Sequence, residues 1–372
     1  ITSSDLFSKP VTSLLDMGAA CARVDSGAKE DGSLNGKYSV GEEVGKGATA
    51  TVYKALRKKD KGTFAVKCLR RNQFSQADSD ALLKEVDFLR ELDHPNVLRC
   101  YDFYEEPETY YLVVDFIAGG ELFDRITAKT VYNEYEAREL IKILLDVLLH
   151  LAEHNIAHRD LKPENLLLKS DKDHDVVLID FGFAEKAEDR NLTAQCGTPN
   201  YVAPEIINKK DYGIEVDMWS AGVIFYILLG GYPPFYTTTG DQKELFHLIT
   251  QAKYEFHPEW WGPVSKLAMD LISKMLVVDP DQRLTAQQAF RHEWFLDSDT
   301  TLMNHHLERS LKQLKVWNAK RKLRGAIKAV IWTNRLRNAL SKSAMSPGSG
   351  EAAEANSEQA EEATGAPPGT AV

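Results

Sequence analysis

The chain has 372 residues, 43% of them hydrophobic and 27% charged, and a formal net charge of −10. This is the composition of a folded globular protein of two or three units at roughly 150 residues each, and its acidic balance gives no ground for a nucleic-acid partner. The four cysteines (Cys21, Cys68, Cys100 and Cys196) are scattered without a CxxC pair, which argues against a disulfide framework and against zinc. A reducing compartment, cytoplasmic or nuclear, is expected. No apolar run approaches the ~18 residues needed to span a bilayer. The sequence begins at Ile1 rather than Met, so no targeting signal is readable.

Residues 1–37, rich in Ser, Gly, Ala and Asp, read as a flexible arm. From Tyr38 the texture changes. "KYSVGEEVG" and "ATATVYKALRK" alternate and are β-branched, as in a hairpin, and "GTFAVKCLR" reads as a third strand. "SDALLKEVDFLREL" has apolar residues at helical spacing behind a Ser or Asp cap. "NVLRCYDFYEE" and "TYYLVVDFI" predict two more strands. After Gly119 and Gly120 the pattern is mainly helical to about Phe295, and "SAGVIFYILLGGYPPF" reads as a buried helix. A small β-rich unit therefore precedes a larger α-rich one.

The end of the chain is unlike the rest. Between Arg309 and Lys342 there are 11 Lys or Arg and no carboxylate, so everything outside that segment sums to −21. Residues 346–372 are Ala, Gly, Pro and Ser with five Glu and no basic residue, a composition that cannot bury a core.

Several short motifs carry chemistry. "GKGATATV" (Gly45 to Val52) sits where a strand turns, and glycines there let backbone N–H groups approach phosphate oxygens. Taken alone it is also what any glycine hairpin looks like. "FAVK" places Lys67 on the next strand, and Glu85 follows 18 residues later within the amphipathic helix. A Lys facing a Glu across a sheet–helix contact can aim its ammonium at a phosphate. "HRDLKPENLLL" starts at His158, "DFG" at Asp180, "GTPNYVAPE" ends at Glu205 and "DMWSAG" starts at Asp217.

In this set of motifs the sequence resembles the eukaryotic protein kinases, from about Tyr38 to Phe295. The resemblance implies an α+β bilobal kinase fold, with an N-lobe over 38–117, a C-lobe over 118–295 and a regulatory segment over 297–342. Residues 343–372 would form a disordered acidic tail. It implies ATP as phosphate donor with Mg²⁺ held by Asp180 and Asn165, whose hard oxygens suit that ion. Asp160 would orient the substrate hydroxyl and Lys162 would neutralise the transferring phosphoryl group. Lys67, held by Glu85, would grip the α- and β-phosphates. Val44, Gly45, Lys46, Gly47, Val52, Ala65, Asp115, Ile117 and Leu167 would line the nucleotide site. Ala50 replaces the third glycine of the phosphate loop, and Val114 stands at the position guarding the back pocket.

Lys162 two residues after Asp160, with Thr198 in the "GTP" turn, resembles the serine/threonine class. Glu205 is expected to pair with Arg283 of "DPDQRLT", and Leu89, Cys100, His158 and Phe181 match the apolar stack that links the lobes. "YLVVDFIAGGELFDRI" resembles the calcium/calmodulin-dependent group. That likeness implies that Glu121 and Glu164 face a basic residue three before the phosphoacceptor. "RNLT" ends at Thr193, one residue off the threonine phosphorylated in type I enzymes of the group, and Arg159 is a candidate partner for a phosphate there.

"VWNAKRKLRGAIKAVIW" resembles the autoinhibitory and calmodulin-binding segment of the same group. Calmodulin would contact residues near 314–336, with Leu323, Ile327 and Trp332 as apolar anchors, or Trp317 and Val330 as an alternative pair. An acidic-membrane anchor and a simply docked helix are the competing readings. Ser310 aligns with the activating threonine of type II enzymes, but Leu307 replaces the arginine before it, and Ala329 and Val330 replace a threonine pair. Autophosphorylation memory is therefore not expected, and a monomer is. "DKDHD" (171–175) lacks the Gly and Glu of a calcium loop and reads as a link between two strands. A pseudokinase scaffold, or a constitutively active kinase whose basic helix only localises it, is the alternative.

Overall fold

The computed structural model describes residues 33–46 and 50–325. The chain divides into units 1–323 and 324–372, and of the second only residues 324 and 325 are described. A short helix α1 (Leu34–Lys37) leads into β1 (Tyr38–Lys46), β2 (Ala50–Arg57) and β3 (Thr63–Arg70). Helix α2 (Gln76–Glu91), β4 (Cys100–Glu105) and β5 (Thr109–Asp115) follow, and the five strands form an antiparallel sheet ordered β1-β2-β3-β5-β4. Then come α3 (Leu122–Ala128), α4 (Glu134–Glu153) and the short strands β6 (Ile156–Ala157), β7 (Leu166–Leu168), β8 (Val176–Leu178) and β9 (Glu185–Lys186). The rest of the larger lobe is α5 (Pro204–Ile207), α6 (Glu215–Gly230), α7 (Gln242–Thr250), α8 (Pro258–Trp261), α9 (Lys266–Met275), α10 (Ala286–Phe290), α11 (Glu293–Leu296) and α12 (Asp299–Asn304). Residues 308–325, here α13, are helical.

Strand alternation decides what β3 can do. Phe64, Val66 and Cys68 face one small apolar cluster with Leu34, Tyr38 and Val113. Ala65 and Leu69 face the other way, into the main core with α2 residues Leu82, Val86 and Leu89. Lys67 shares that second face by the two-residue period of a strand, so its side chain is directed to α2 and the interlobe cleft. The predicted cap of α2 is present as a reciprocal Ser75–Asp78 capping box.

The arm predicted over 1–37 is shorter at its C-terminal end. Leu34 is buried and Lys37 bonds both oxygens of Asp102 at 2.7 Å. Residues 33–37 therefore belong to the N-lobe; residues 1–32 lie outside the described residues.

Helix α6 is the centre of the C-lobe. Every residue from Val216 to Gly230 is buried, as the unbroken apolar run predicted. It ends at Gly231 in the left-handed region (φ 81°), where a Cβ would lie 2.2 Å from the carbonyl oxygen of Ser310. Only glycine lets α13 approach so closely. Helix α13 docks by Leu311 and Leu314 together with Leu307, which directly precedes it, all buried at the i, i+4, i+7 spacing of one helical face. Each such leucine contributes about 2 kcal/mol on leaving water.

Arg283 meets Glu205 in a buried two-bond fork (2.7 and 2.9 Å), as expected. Removing one partner leaves the other charge buried and uncompensated. Glu205→Ala should lower the free energy of unfolding by about 3 kcal/mol. Urea denaturation checks this, and a loss below about 1 kcal/mol would show that the pair is dispensable to the fold.

Candidate active site

The catalytic loop hangs from α6. Asp217, buried near the start of that helix, accepts from the backbone N–H of His158 (2.6 Å) and of Arg159 (2.9 Å). The His158 ring is fully enclosed, and burial pushes its pKa down, keeping it neutral. The network fixes its tautomer: the Asp160 N–H donates to Nδ1 (3.3 Å), and Nε2 donates to the Ile179 carbonyl (3.3 Å). Phe181 meets the same ring edge-on at 4.9 Å. The expected stack is present at this contact, and Leu89 and Cys100 join the same core.

Asp160 is held on both oxygens. Thr198 Oγ1 donates to Oδ1 at 2.6 Å, and the Lys162 ammonium pairs with Oδ2. Burial works against the Lys162 ammonium, but Asp160, Asp180 and Glu164 outweigh it and hold its pKa up. Asn165 Nδ2 donates to the Asp160 carbonyl at 2.9 Å, and the Ile179 N–H donates to the Asn165 carbonyl at 3.0 Å. Asp180 takes a left-handed conformation (φ 67°), uncommon for a residue with a Cβ.

Among the described residues, two buried oxygens at this centre have no protein partner: Asn165 Oδ1 and Asp180 Oδ2. Leaving such atoms unpaired in the interior is costly. Both are hard ligands from the residues assigned to Mg²⁺, so the donor set fits a divalent cation. Burial pushes the Asp180 carboxyl up, with Asp160 adding to it and Lys162 and Lys67 opposing. A bound cation would hold that carboxylate ionised.

The Lys67–Glu85 pair is not closed. Among the described residues no ion pair within 4.0 Å joins them, which corrects the sequence expectation. Desolvation pushes the Glu85 carboxyl up, with Lys67 opposing and Asp180 adding, so the three charges act on one another without an ion pair. The neighbouring Lys84 bonds both oxygens of Glu185 (2.5 and 2.6 Å), tying α2 to β9.

The other nucleotide-site residues divide by position. Val44, Gly45 and Lys46 lie at the end of β1 and Val52 on β2; Gly47 is outside the described residues. Ala65 and Leu167 are buried from the two lobes, and Ile117 is half-buried between them. The Asp115 carboxylate is engaged elsewhere: it accepts from Tyr101 (2.9 Å) and pairs with Lys169 (3.1 Å). The Asp115 backbone N–H is used as well, donating to the Arg99 carbonyl at 3.3 Å.

Glu121 and Glu164 do meet a basic side chain, and it comes from this chain. Arg321 of α13 forks between them, Nη2 to Glu121 Oε2 and Nη1 to Glu164 Oε1 at 2.9 Å. Around it, Asn318 donates to Asp124 (2.8 Å), Lys322 pairs with Asp124, and Trp317 packs on Phe123 at 5.8 Å. Neither Arg321 nor Asp124 was singled out by the sequence motifs. The one available signal was a carboxylate three residues after Glu121, in the first turn of α3.

Arg159, the expected partner for a phosphate on Thr193, is already engaged within the chain. It donates to the Phe183 carbonyl (2.6 Å) and to Tyr212 Oη (3.1 Å), and lies 3.9 Å from Glu185. Thr193 is exposed. Residues 171–175 link β7 to β8, as expected. Ile327, Ala329, Val330 and Trp332 lie outside the described residues.

Comparison with known proteins agrees with this geometry. The protein kinase domain family matches residues 38–295. Calcium/calmodulin-dependent protein kinase type IV of Mus musculus is 41% identical over 306 residues, 82% of this chain and 64% of that protein. Myosin light chain kinase A of Dictyostelium discoideum is 43% identical over 291 residues, 76% of this chain and 98% of that protein. Calcium/calmodulin-dependent protein kinase type 1 of Caenorhabditis briggsae is 39% identical over 300 residues. The chain belongs to the protein kinase family, whose domain model spans it from the start of β1 to Phe295.

Proposed function

We propose that this chain is an ATP-dependent serine/threonine protein kinase that selects a basic residue three before the phosphoacceptor. It is held off by its own α13 and released by calcium-loaded calmodulin. The observation that carries the reading is the fork of Arg321 on Glu121 and Glu164.

Phosphoryl transfer needs positioning and charge neutralisation more than covalent help. Thr198 and the loop carried by Asp217 set the Asp160 carboxylate to receive the substrate hydroxyl proton. The Lys162 ammonium, held protonated beside Asp160, lies where negative charge develops. Asn165 and Asp180 would hold Mg²⁺, which supplies charge neutralisation at the nucleotide phosphates. Lys67 is directed into the same cleft from β3 and would reach the phosphates once α2 brings Glu85 to it.

Regulation follows from competition. Two carboxylates cannot grip Arg321 and a substrate arginine at once, so the docked helix and the peptide exclude each other. The helix is also suited to a second partner. Val316 and Leu323, seven residues apart on one face, are 49% and 62% exposed while the opposite face is docked. An outward apolar stripe on a strongly basic helix suits an acidic partner that also offers apolar pockets. Calcium-loaded calmodulin is such a partner.

Phosphorylation of an Arg-x-x-Ser peptide by the full chain should be low alone and rise at least about tenfold with calcium–calmodulin, a shift of about 1.4 kcal/mol. Arg321→Ala should reach much of that activity without calmodulin; basal activity equal to wild type would refute autoinhibition through this side chain. Replacing the peptide arginine by alanine should lower kcat/KM by about 30-fold or more, the scale of a broken desolvated charge pair. An unchanged value would exclude the assigned role of Glu121 and Glu164. Asp180→Asn should leave no detectable incorporation, whereas residual turnover near wild type would exclude the assigned metal site. Calcium-independent binding to anionic vesicles, with no response to calmodulin, would favour the membrane reading instead.

A further inference from the structure

Arg159 directly precedes Asp160, and its side chain is enclosed at 9% exposure. A guanidinium in such a place needs a counter-charge. Around it the chain closes two limbs of the segment that follows "DFG". The first limb is Phe183, which accepts from Arg159 Nε, and Glu185, whose Oε2 lies 3.9 Å from Nη2. The second limb is reached through Tyr212. Its hydroxyl accepts from Arg159 Nη1, donates to the Ala194 carbonyl at 2.6 Å and contacts Cys196 Sγ at 3.9 Å. Leu192 pairs with Tyr212 through the backbone in both directions, at 2.9 and 3.2 Å. Gly197 (φ 101°) lets the segment pass so near that a Cβ would lie 2.6 Å from the Arg159 carbonyl.

Glu185 does not drift with this arrangement. Lys84 of α2 grips both its oxygens, and the next residue, Lys186, pairs with Glu91 of the same helix at 2.5 Å. Two crossed ion pairs thus stitch β9 to α2. The Glu185 carboxylate faces Lys84 on one side and Arg159 on the other, so one anion joins α2, β9 and the catalytic loop.

We propose that Glu185 is a positioning residue that supplies, from within the chain, the anion that Arg159 requires, so that assembly of the catalytic loop does not depend on phosphorylation of the segment 188–198. Thr193 stands exposed beside this cluster, and a phosphate on it would find Arg159 already engaged. Glu185 is held by Lys84 and faces Arg159, and it is not among the residues assigned above to nucleotide or peptide. Its loss therefore acts on the setting of Asp160 and falls on kcat, not on binding. This inference rests on the kinase reading given above.

The test uses the full chain with calcium–calmodulin and an Arg-x-x-Ser peptide. Wild-type protein is compared before and after treatment with a protein phosphatase, with phosphate removal verified by mass spectrometry. Thr193→Ala, Glu185→Gln and Glu185→Asp are assayed beside it. Phosphatase-treated protein and Thr193→Ala should keep kcat within about threefold of the untreated wild type. Glu185→Gln should lower kcat by about tenfold with KM for ATP changed less than about twofold, and Glu185→Asp should recover at least about half of the loss. A larger drop on phosphatase treatment, or a Glu185→Gln variant with wild-type kcat, overturns the proposal. If Glu185→Gln melts below assay temperature, the phosphatase comparison and Glu185→Asp decide alone. A chain indifferent to calmodulin would fail the regulatory reading while leaving these ratios readable. A wild-type chain inert in every condition would overturn the kinase reading, and this inference with it.

Discussion

The site depends on one buried carboxylate. Asp217 accepts from two consecutive backbone N–H groups, those of His158 and Arg159, from inside a helix with no exposed side after its first residue. Burial pushes the Asp217 carboxyl up, and the two N–H bonds and the nearby Arg159 charge oppose that shift. The loop is thus fixed to the most deeply packed element of the C-lobe. Asp160, Lys162 and Asn165 inherit their positions from it, which is how a loop attains the rigidity that charge stabilisation needs. The left-handed conformation of Arg159 (φ 66°) is held by the same two bonds and by the contacts of its side chain.

Rigidity below the cleft contrasts with an open connection above it. Lys67 and Glu85 act on one another but are not joined, while Lys84, one residue away on α2, is bound to Glu185. On a helix these neighbours point about 100° apart, so a modest rotation of α2 is enough to alter one contact and not the other. The structure therefore combines a finished catalytic loop with an unfinished nucleotide grip, a combination that agrees with a chain whose α13 occupies the cleft rim.

The legible part of the site was the part written in contiguous residues. Asp160, Lys162 and Asn165 lie within six positions, and their arrangement follows from the backbone that joins them. The β-rich and α-rich lobes were readable from period, and α6 from its unbroken apolar run. What escaped were pairings whose partners are remote. Arg321 lies 200 residues from Glu121, and nothing local distinguishes it among eleven positive charges. Glu185 acquires a role only because Lys84 lies 101 residues earlier on a neighbouring helix. The Lys67–Glu85 pair failed as an expectation for the same reason: both residues are where the sequence put them, but their contact depends on the rotation of α2. Leu34 was missed because a lone apolar residue in a polar stretch carries no period.

The docking of α13 is divided along its length, and the division bears on how it can be released. Its first half is held mainly by the buried Leu307, Leu311 and Leu314, with Arg309 and Lys315 adding bonds to the Glu259 and Lys129 carbonyls. Its second half is held by Arg321, Lys322 and Asn318, together with Trp317 on Phe123. In the second half Lys322 and Asp124 are 47% and 41% exposed, where such pairs contribute little. Local opening should therefore begin there, with the leucines still in place. Only that half must leave to free Glu121 and Glu164. A partner that grips the outward apolar stripe need not overcome the whole docking energy, only the part that covers the carboxylates. The apolar anchor then keeps the helix close enough to return once that partner departs.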